Sequence, residues 1–180
     1  MILGLLKKRA PAAPTTAEVI HAGLVAAARR PELYDDLEAP DTLPGRFEIL
    51  VLHVALYLRR VKGQGPQAEA IAQEVVDVLF KALDAQLREI GIGDMSVPKK
   101  MKTMASSFYD GAHQYDAALA AGDREATSAA LARIVYRAEP DDRSGRLAAY
   151  VFEAAAALDL QDVDLLVTRG PVFPAVGAAS

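Results

Sequence analysis

The stretch LREIGIGDMSVPKKMKTMASSFY, Leu87 to Tyr109, decides how this chain is read, because two helical patterns meet in it across a glycine-rich corner. Gly91 and Gly93 suit the end of one helix, since glycine takes the left-handed conformation just past a helix C-terminus without a Cβ penalty. Pro98 suits the first turn of the next helix, where its missing N–H costs nothing, and Asp94 or Ser96 can accept from the free N–H groups there. At about 100° per residue, Met101, Met104, Phe108, Ala112, Tyr115 and Leu119 share one face of that second helix. Lys99, Lys102, Ser106, Asp110 and His113 share the opposite one, and the first face is expected in the core. Lys99, Lys100 and Lys102 crowd the helix N-terminus, where the helix dipole disfavours cations, so local stability does not account for them. They are either a solvated face or a site for an anionic partner.

Outward from the corner, helix follows helix. Pro66 opens the preceding one, whose apolar face runs from Ile71 through Val75, Leu79 and Leu83 to Leu87, with Asp77–Lys81 and Asp84–Arg88 paired at i,i+4 outside. Before it, Phe47 to Leu58 is the most apolar run. Glu48 and His53 interrupt it, and it falls short of the roughly 20 residues needed to span a bilayer, so it reads as a buried core helix ending near Gly63-Gln64-Gly65. A loop containing Asp35, Asp36, Pro40 and Pro44 precedes it. Thr15 or Thr16 can cap a first helix reaching about Arg30, with Glu18 in its first turn and Pro31 as its breaker. After the corner, Gly122 ends the lysine-bearing helix. Asp123 begins another with Leu131, Ile134, Val135 and Ala138 at helical spacing, stopped by Pro140 and Asp141-Asp142. Ser144 can cap a long helix burying Leu147, Val151, Ala155 and Leu158, and Asp162 a short one ending at Gly170. Neither a convincing strand nor an internal repeat is present. The expectation is an all-α, single-domain irregular helical bundle of about six to seven helices, with a flexible arm over 1–14, the helical domain over 15–168 and a disordered tail over 169–180.

Composition narrows function. With 180 residues the chain can bury a real core as one domain. A net charge of −4 and a pI near 5.4 argue against a general nucleic-acid binder, which carries a basic excess. The absence of cysteine removes disulfides, thiolate metal sites and a cysteine nucleophile, and suits a reducing compartment. At the N-terminus the apolar run comes before the cations, the reverse of a secretory signal, so no export is expected and the compartment is read as cytoplasmic. Two readings of these residues stand. Ile2, Leu3, Leu5 and Leu6 can enter a membrane surface while Lys7, Lys8 and Arg9 meet anionic headgroups, giving peripheral attachment at the inner face of the cytoplasmic membrane, or the segment is a frayed terminus.

Catalytic and metal readings find little support. Glu18-x-x-His21 and Asp110-x-x-His113 each put a carboxylate and an imidazole on one helical face, as di-iron bundles do, but Asp110 and His113 lie opposite the core stripe and should face water. Asp35-Asp36 and Asp141-Asp142 lack the further aspartate of a pyrophosphate-binding motif and read as turn and capping residues. No glycine-rich phosphate cradle is present. His53 reads as a hydrogen-bonded core histidine, and three histidines offer no nucleophilic triad. No cofactor is expected.

The segment Leu87 to Tyr109 resembles the signature of the ubiquinol-cytochrome c chaperone family, and Arg46-Phe47-Glu48-Ile49-Leu50-Val51-Leu52-His53 resembles a second block of it. The likeness extends over roughly Pro31 to Leu160, and the length and lack of a mitochondrial leader resemble the bacterial members. The chain departs from the family pattern at Phe108-Tyr109-Asp110-Gly111, where members tend to read Phe-Tyr-Gly-Arg, so a role carried by that arginine has no counterpart at this position. The resemblance implies a non-enzymatic assembly chaperone that binds newly made cytochrome b, hands it on to the ubiquinol-cytochrome c reductase (complex III), and in mitochondrial members sits at the ribosomal exit. With it, Lys99, Lys100, Lys102, Ser106 and Tyr109, assisted by Arg88, are expected to bind the client or its ribosomal surroundings. Phe80, Leu87, Met95, Met101 and Met104 either extend that surface or complete the core. The alternatives are a helical enzyme of quinone or isoprenoid metabolism and a structural adaptor at the membrane surface.

Overall fold

Thr15 starts the first helix by accepting from Glu18 N while Glu18 reaches back to Thr15 N, a capping box that opens α1 (Thr16–Ala28). The structure is a computed structural model and describes residues 13–177. Pro31 does not lead into a simple loop, because a short helix, α2 (Glu32–Asp35), forms first. Thr42 caps α3 (Leu43–Val61), with Pro44 in its first turn. Gly65 turns the chain into α4 (Pro66–Glu89), and α5 (Val97–Ala120), α6 (Arg124–Leu131), α7 (Asp142–Asp159) and α8 (Val163–Arg169) complete the chain. The described residues contain eight α-helices and no strand, so the all-α class holds with slightly more helices than expected, α2 being the unforeseen one.

The core organises around α3, which is apolar on nearly every side. Ile49, Val51, Leu52, Val54 and Tyr57 are all fully buried, as expected of a helix enclosed by neighbours. It packs against α1, α5 and α7 and touches α4 and α8. His53 is fully buried within it: Nδ1 faces the Ile49 carbonyl at 2.8 Å and Nε2 the Tyr150 hydroxyl at 2.9 Å. The core-histidine reading is therefore the right one.

Several local details differ from the sequence-based expectation. Ser96 precedes α5 in helical conformation with no side-chain cap, and Asp94 turns back to pair with Arg88 instead. Asp141, not Ser144, caps α7. Ser144 closes the box three residues on by accepting from Asp141 N at 3.1 Å. Asp77 accepts from Gln73 at 2.9 Å rather than pairing with Lys81. The helix after Gly122 widens into a π-turn over Ala132–Tyr136, after which Arg137 takes φ +55°. That extra residue per turn swings Tyr136 inward, where its hydroxyl donates to the Leu37 carbonyl at 2.6 Å, and leaves Ala138, expected in the core, exposed.

Disorder is expected after Gly170, yet the described part of that segment is held. Phe173 packs edge-on to the His53 ring with centroids 4.7 Å apart, Arg30 Nη1 donates to Pro174 O at 2.5 Å, and Val172 N donates to Gln161 at 2.9 Å. An aromatic side chain and unpaired backbone groups beside a buried polar network give this segment enough partners to order it.

Candidate functional site

The corner at residues 87–98 forms part of a groove of about 950 Å³. Leu83, Leu87 and Ile90 from the end of α4 and Lys99, Lys100 and Met104 from the start of α5 line one portion of it. Val25, Ala28 and Arg29 from the end of α1, with Leu43, Phe47 and Leu50 from α3, line the rest. The two sequence blocks singled out above, residues 46–53 and 87–109, thus reach one cavity from opposite ends of a long sequence separation. Leu83 and Leu87 are buried, Phe47, Leu50 and Met104 half-buried, and Leu43 and Ile90 are about half exposed at 51% and 52%.

Close backbone packing shapes the α3 side. Gly45 N donates to Thr42 Oγ1 at 3.2 Å, and a Cβ on Gly45 would overlap the Pro40 carbonyl oxygen. Only glycine lets residues 40–42 fold so tightly over the start of α3, which carries Asp41, Thr42 and Leu43 to the groove.

The groove's charged groups are mostly cationic. Arg29, Arg46, Lys99, Lys100 and Arg137 line it against Asp41 and Glu48. Arg46 pairs with Asp41, and Arg137 Nη2 with Glu48 Oε1 at 3.3 Å. Among the described residues no carboxylate pairs with Arg29, Lys99 or Lys100, so the groove keeps a local positive excess within a chain of net negative charge.

Glu48 is the odd member. It is 4% exposed, its Oε2 has no hydrogen-bond partner, and it lines both the groove and a second cavity of about 200 Å³. Burial pushes its carboxyl above the ordinary range, with Arg137 pulling the other way. The Tyr115 hydroxyl is also buried without a partner, and burial together with the Glu48 charge pushes its ionisation far up. Gly111 lines the same small cavity, and a Cβ there would meet Val51 and Tyr115 at ordinary van der Waals distance.

The anticipated patch divides. Lys99 and Lys100 lie on the groove, whereas Arg88, Lys102, Ser106 and Tyr109 do not line it. Arg88 is engaged by Asp84 at 2.7 Å and by Asp94, which leaves little of its guanidinium for a client. Ser106 donates to Asp110 at 3.3 Å. Tyr109 is 59% exposed and forms an aromatic cluster with Phe80 and Phe108. Met101 and Met104 pack against the core, while Met95 is almost wholly exposed. Ile2, Leu3, Leu5, Leu6, Lys7, Lys8 and Arg9 lie outside the described residues. Glu18 is occupied by its capping box and Asp110 and His113 are exposed, and no cluster of three or more metal-ligating side chains forms among the described residues.

Sequence reasoning missed Arg29 and Arg137, and it placed Phe47 and Glu48 in the second family-like block without assigning either to a site. A lone carboxylate inside the most apolar helix, beside Arg46 and Phe47, was the signal available.

The profile of the family described as ubiquinol-cytochrome C chaperone matches residues 35–173, which include both blocks. The ubiquinol-cytochrome-c reductase complex assembly factor 1 of Xenopus laevis is 27% identical over 143 residues, covering 78% of this chain and 71% of that protein. Its Mus musculus counterpart is 27% identical over 140 residues, covering 76% of this chain, and this chain spans only 47% of its length. The crystal structure of the Cbp3 homolog from Brucella abortus matches with a TM-score of 0.83 and 38% identity, covering 92% of each chain.

Proposed function

The chain belongs to the ubiquinol-cytochrome C chaperone family, and from that premise we propose that it holds newly made cytochrome b in the groove between α1, α3, α4 and α5 during assembly of the ubiquinol-cytochrome c reductase. One observation carries the reading. Both family-like blocks line a single apolar groove whose unpaired cations are Arg29, Lys99 and Lys100, the two lysines standing at a helix N-terminus where the helix dipole disfavours them. An apolar trough suits a hydrophobic segment of a membrane protein that has not yet reached its bilayer, and the cations suit carboxylates flanking such a segment. The role is that of a binding protein rather than a catalyst, since holding a client requires no bond to be made or broken.

The N-terminal residues 1–9 add a peripheral membrane contact to this proposal, at the cytoplasmic face where a membrane client would be delivered. Within the described residues no helix is long and apolar enough to cross a membrane. Lys102, Ser106 and Tyr109 form a secondary surface on α5, outside the groove, that can contact the same client or its ribosomal surroundings.

The test is recovery of cytochrome b with the tagged protein from gently solubilised membranes. K99E/K100E should abolish recovery while helicity and melting temperature stay near wild type, and K102E alone should weaken it less. Failure of the wild-type protein to enrich cytochrome b, with normal reductase levels after gene deletion, would overturn the proposal.

A further inference from the structure

Glu48 is a buried carboxylate whose bonding is unfinished. Its Oε1 is held by Arg137 at 3.3 Å, which balances its charge, while its buried Oε2 accepts from nothing. Leaving a buried acceptor unsatisfied is costly, and natural interiors seldom do so without a reason. Here the unsatisfied atom belongs to a residue on the wall shared by the groove and the smaller cavity, where Ser107 and Arg137 also line both spaces.

We infer that Glu48 is a specificity-determining residue of the groove, turning Oε2, which is buried in the free protein, toward the groove to accept a hydrogen bond from a neutral N–H or O–H donor carried by an otherwise apolar polypeptide segment. This rests on the proposal that the groove holds a polypeptide client. The donor is neutral for an electrostatic reason. Arg137 already supplies the counter-charge, so a second cation beside Oε2 would be repelled by that guanidinium, whereas an amide, indole or hydroxyl completes the carboxylate's bonding without adding charge. A segment lacking such a donor leaves Oε2 desolvated and unpaired, and a buried acceptor discriminates strongly against a partner that cannot satisfy it. The lysines would then attract acidic flanks while Glu48 selects among apolar segments.

E48Q separates these roles. Its amide oxygen must face Arg137, which can only donate, so the NH₂ group takes the place of Oε2 and presents a donor where an acceptor stood. The probe is a set of synthetic peptides tiling the host's cytochrome b, with binding measured by fluorescence anisotropy on the full chain. For the tightest peptide, E48Q should raise Kd by about tenfold or more. Replacing the donor-bearing residue of that peptide by an apolar isostere should weaken binding to the wild type and not weaken binding to E48Q further. Should E48Q fail to fold, the peptide scan against wild-type protein decides by itself. If only apolar and acidic positions of the peptide matter, or if E48Q binds within about twofold of wild type, the inference is wrong. An internal water bridging Glu48 Oε2 and the Tyr115 hydroxyl would produce that result. Sensitivity to K99E/K100E without sensitivity to E48Q would refute this role of Glu48 alone. If wild-type protein captures neither peptides nor intact cytochrome b, the reading of the groove as a client site falls with it.

Discussion

Between about pH 6.5 and pH 4 the protein should lose stability through one buried imidazole, His53. Its surroundings fix its protonation. Nδ1 faces the Ile49 carbonyl and must carry the proton, while Nε2 accepts from the Tyr150 hydroxyl, whose oxygen in turn accepts from Arg30 Nη2 at 2.6 Å. Charging the ring would set two donors against the Tyr150 oxygen inside a closed site. Burial accordingly lowers the imidazole from 6.5 to about 4, with the bond to Ile49 opposing the shift and the Arg30 charge adding to it. In that window the unfolded chain binds the proton and the folded chain does not, so stability falls as pH falls. With 1.36 kcal/mol per tenfold, the loss from this group is about 2 kcal/mol by pH 5 and about 3 kcal/mol by pH 4. Urea unfolding at a series of pH values would measure it, with H53Q as the comparison, since glutamine keeps an amide donor and acceptor but cannot titrate. The variant should lose correspondingly less stability across the window, and the other carboxylates and imidazoles cancel in the difference. Parallel stability curves for the two proteins would refute the reasoning.

Local geometry sets three further outcomes. G45A should destabilise the fold by about 1–3 kcal/mol, read from the urea midpoint, because the added methyl meets the Pro40 carbonyl and residues 40–42 must give way. T15A should cost about 1 kcal/mol by removing the hydroxyl that caps α1, with the loss confined to equilibrium unfolding and absent from client recovery. F173A should admit water to His53 and raise its pKa toward 6.5, seen by NMR titration of the imidazole, and so flatten the acid loss described above.

The α4–α5 corner, the inward stripe of Met101, Phe108 and Tyr115, and the burial of His53 were legible because each rests on periodicity or on the chemistry of a few neighbouring residues. Gly91 does take φ +86° as the corner demanded. The groove was not legible. Arg29, Phe47, Lys99 and Arg137 are brought together by packing across more than a hundred positions, and no local pattern encodes that meeting. The π-turn escaped for another reason. A single extra residue per turn changes which side chains face inward without changing composition, so Tyr136 turns inward and Ala138, expected there, does not. The tail misled because Pro171 to Val176 lacks any periodicity, whereas its order comes from partners on Arg30, His53 and Gln161. Helical spacing placed Lys99 and Lys102 on one face but could not show that the groove reaches the first and not the second.

That bound tail also sets a schedule. Arg30 and Pro174 are 144 positions apart, an interval that takes on the order of 7–30 s to translate at about 5–20 residues per second. Throughout that time the Arg30–Tyr150–His53 network lacks its outer wall, and until residue 150 is made it lacks its centre as well. Synthesis through residue 174 must therefore precede sealing of this interior, so the protein spends its first seconds as an unfinished chain with its own buried polar network open to water.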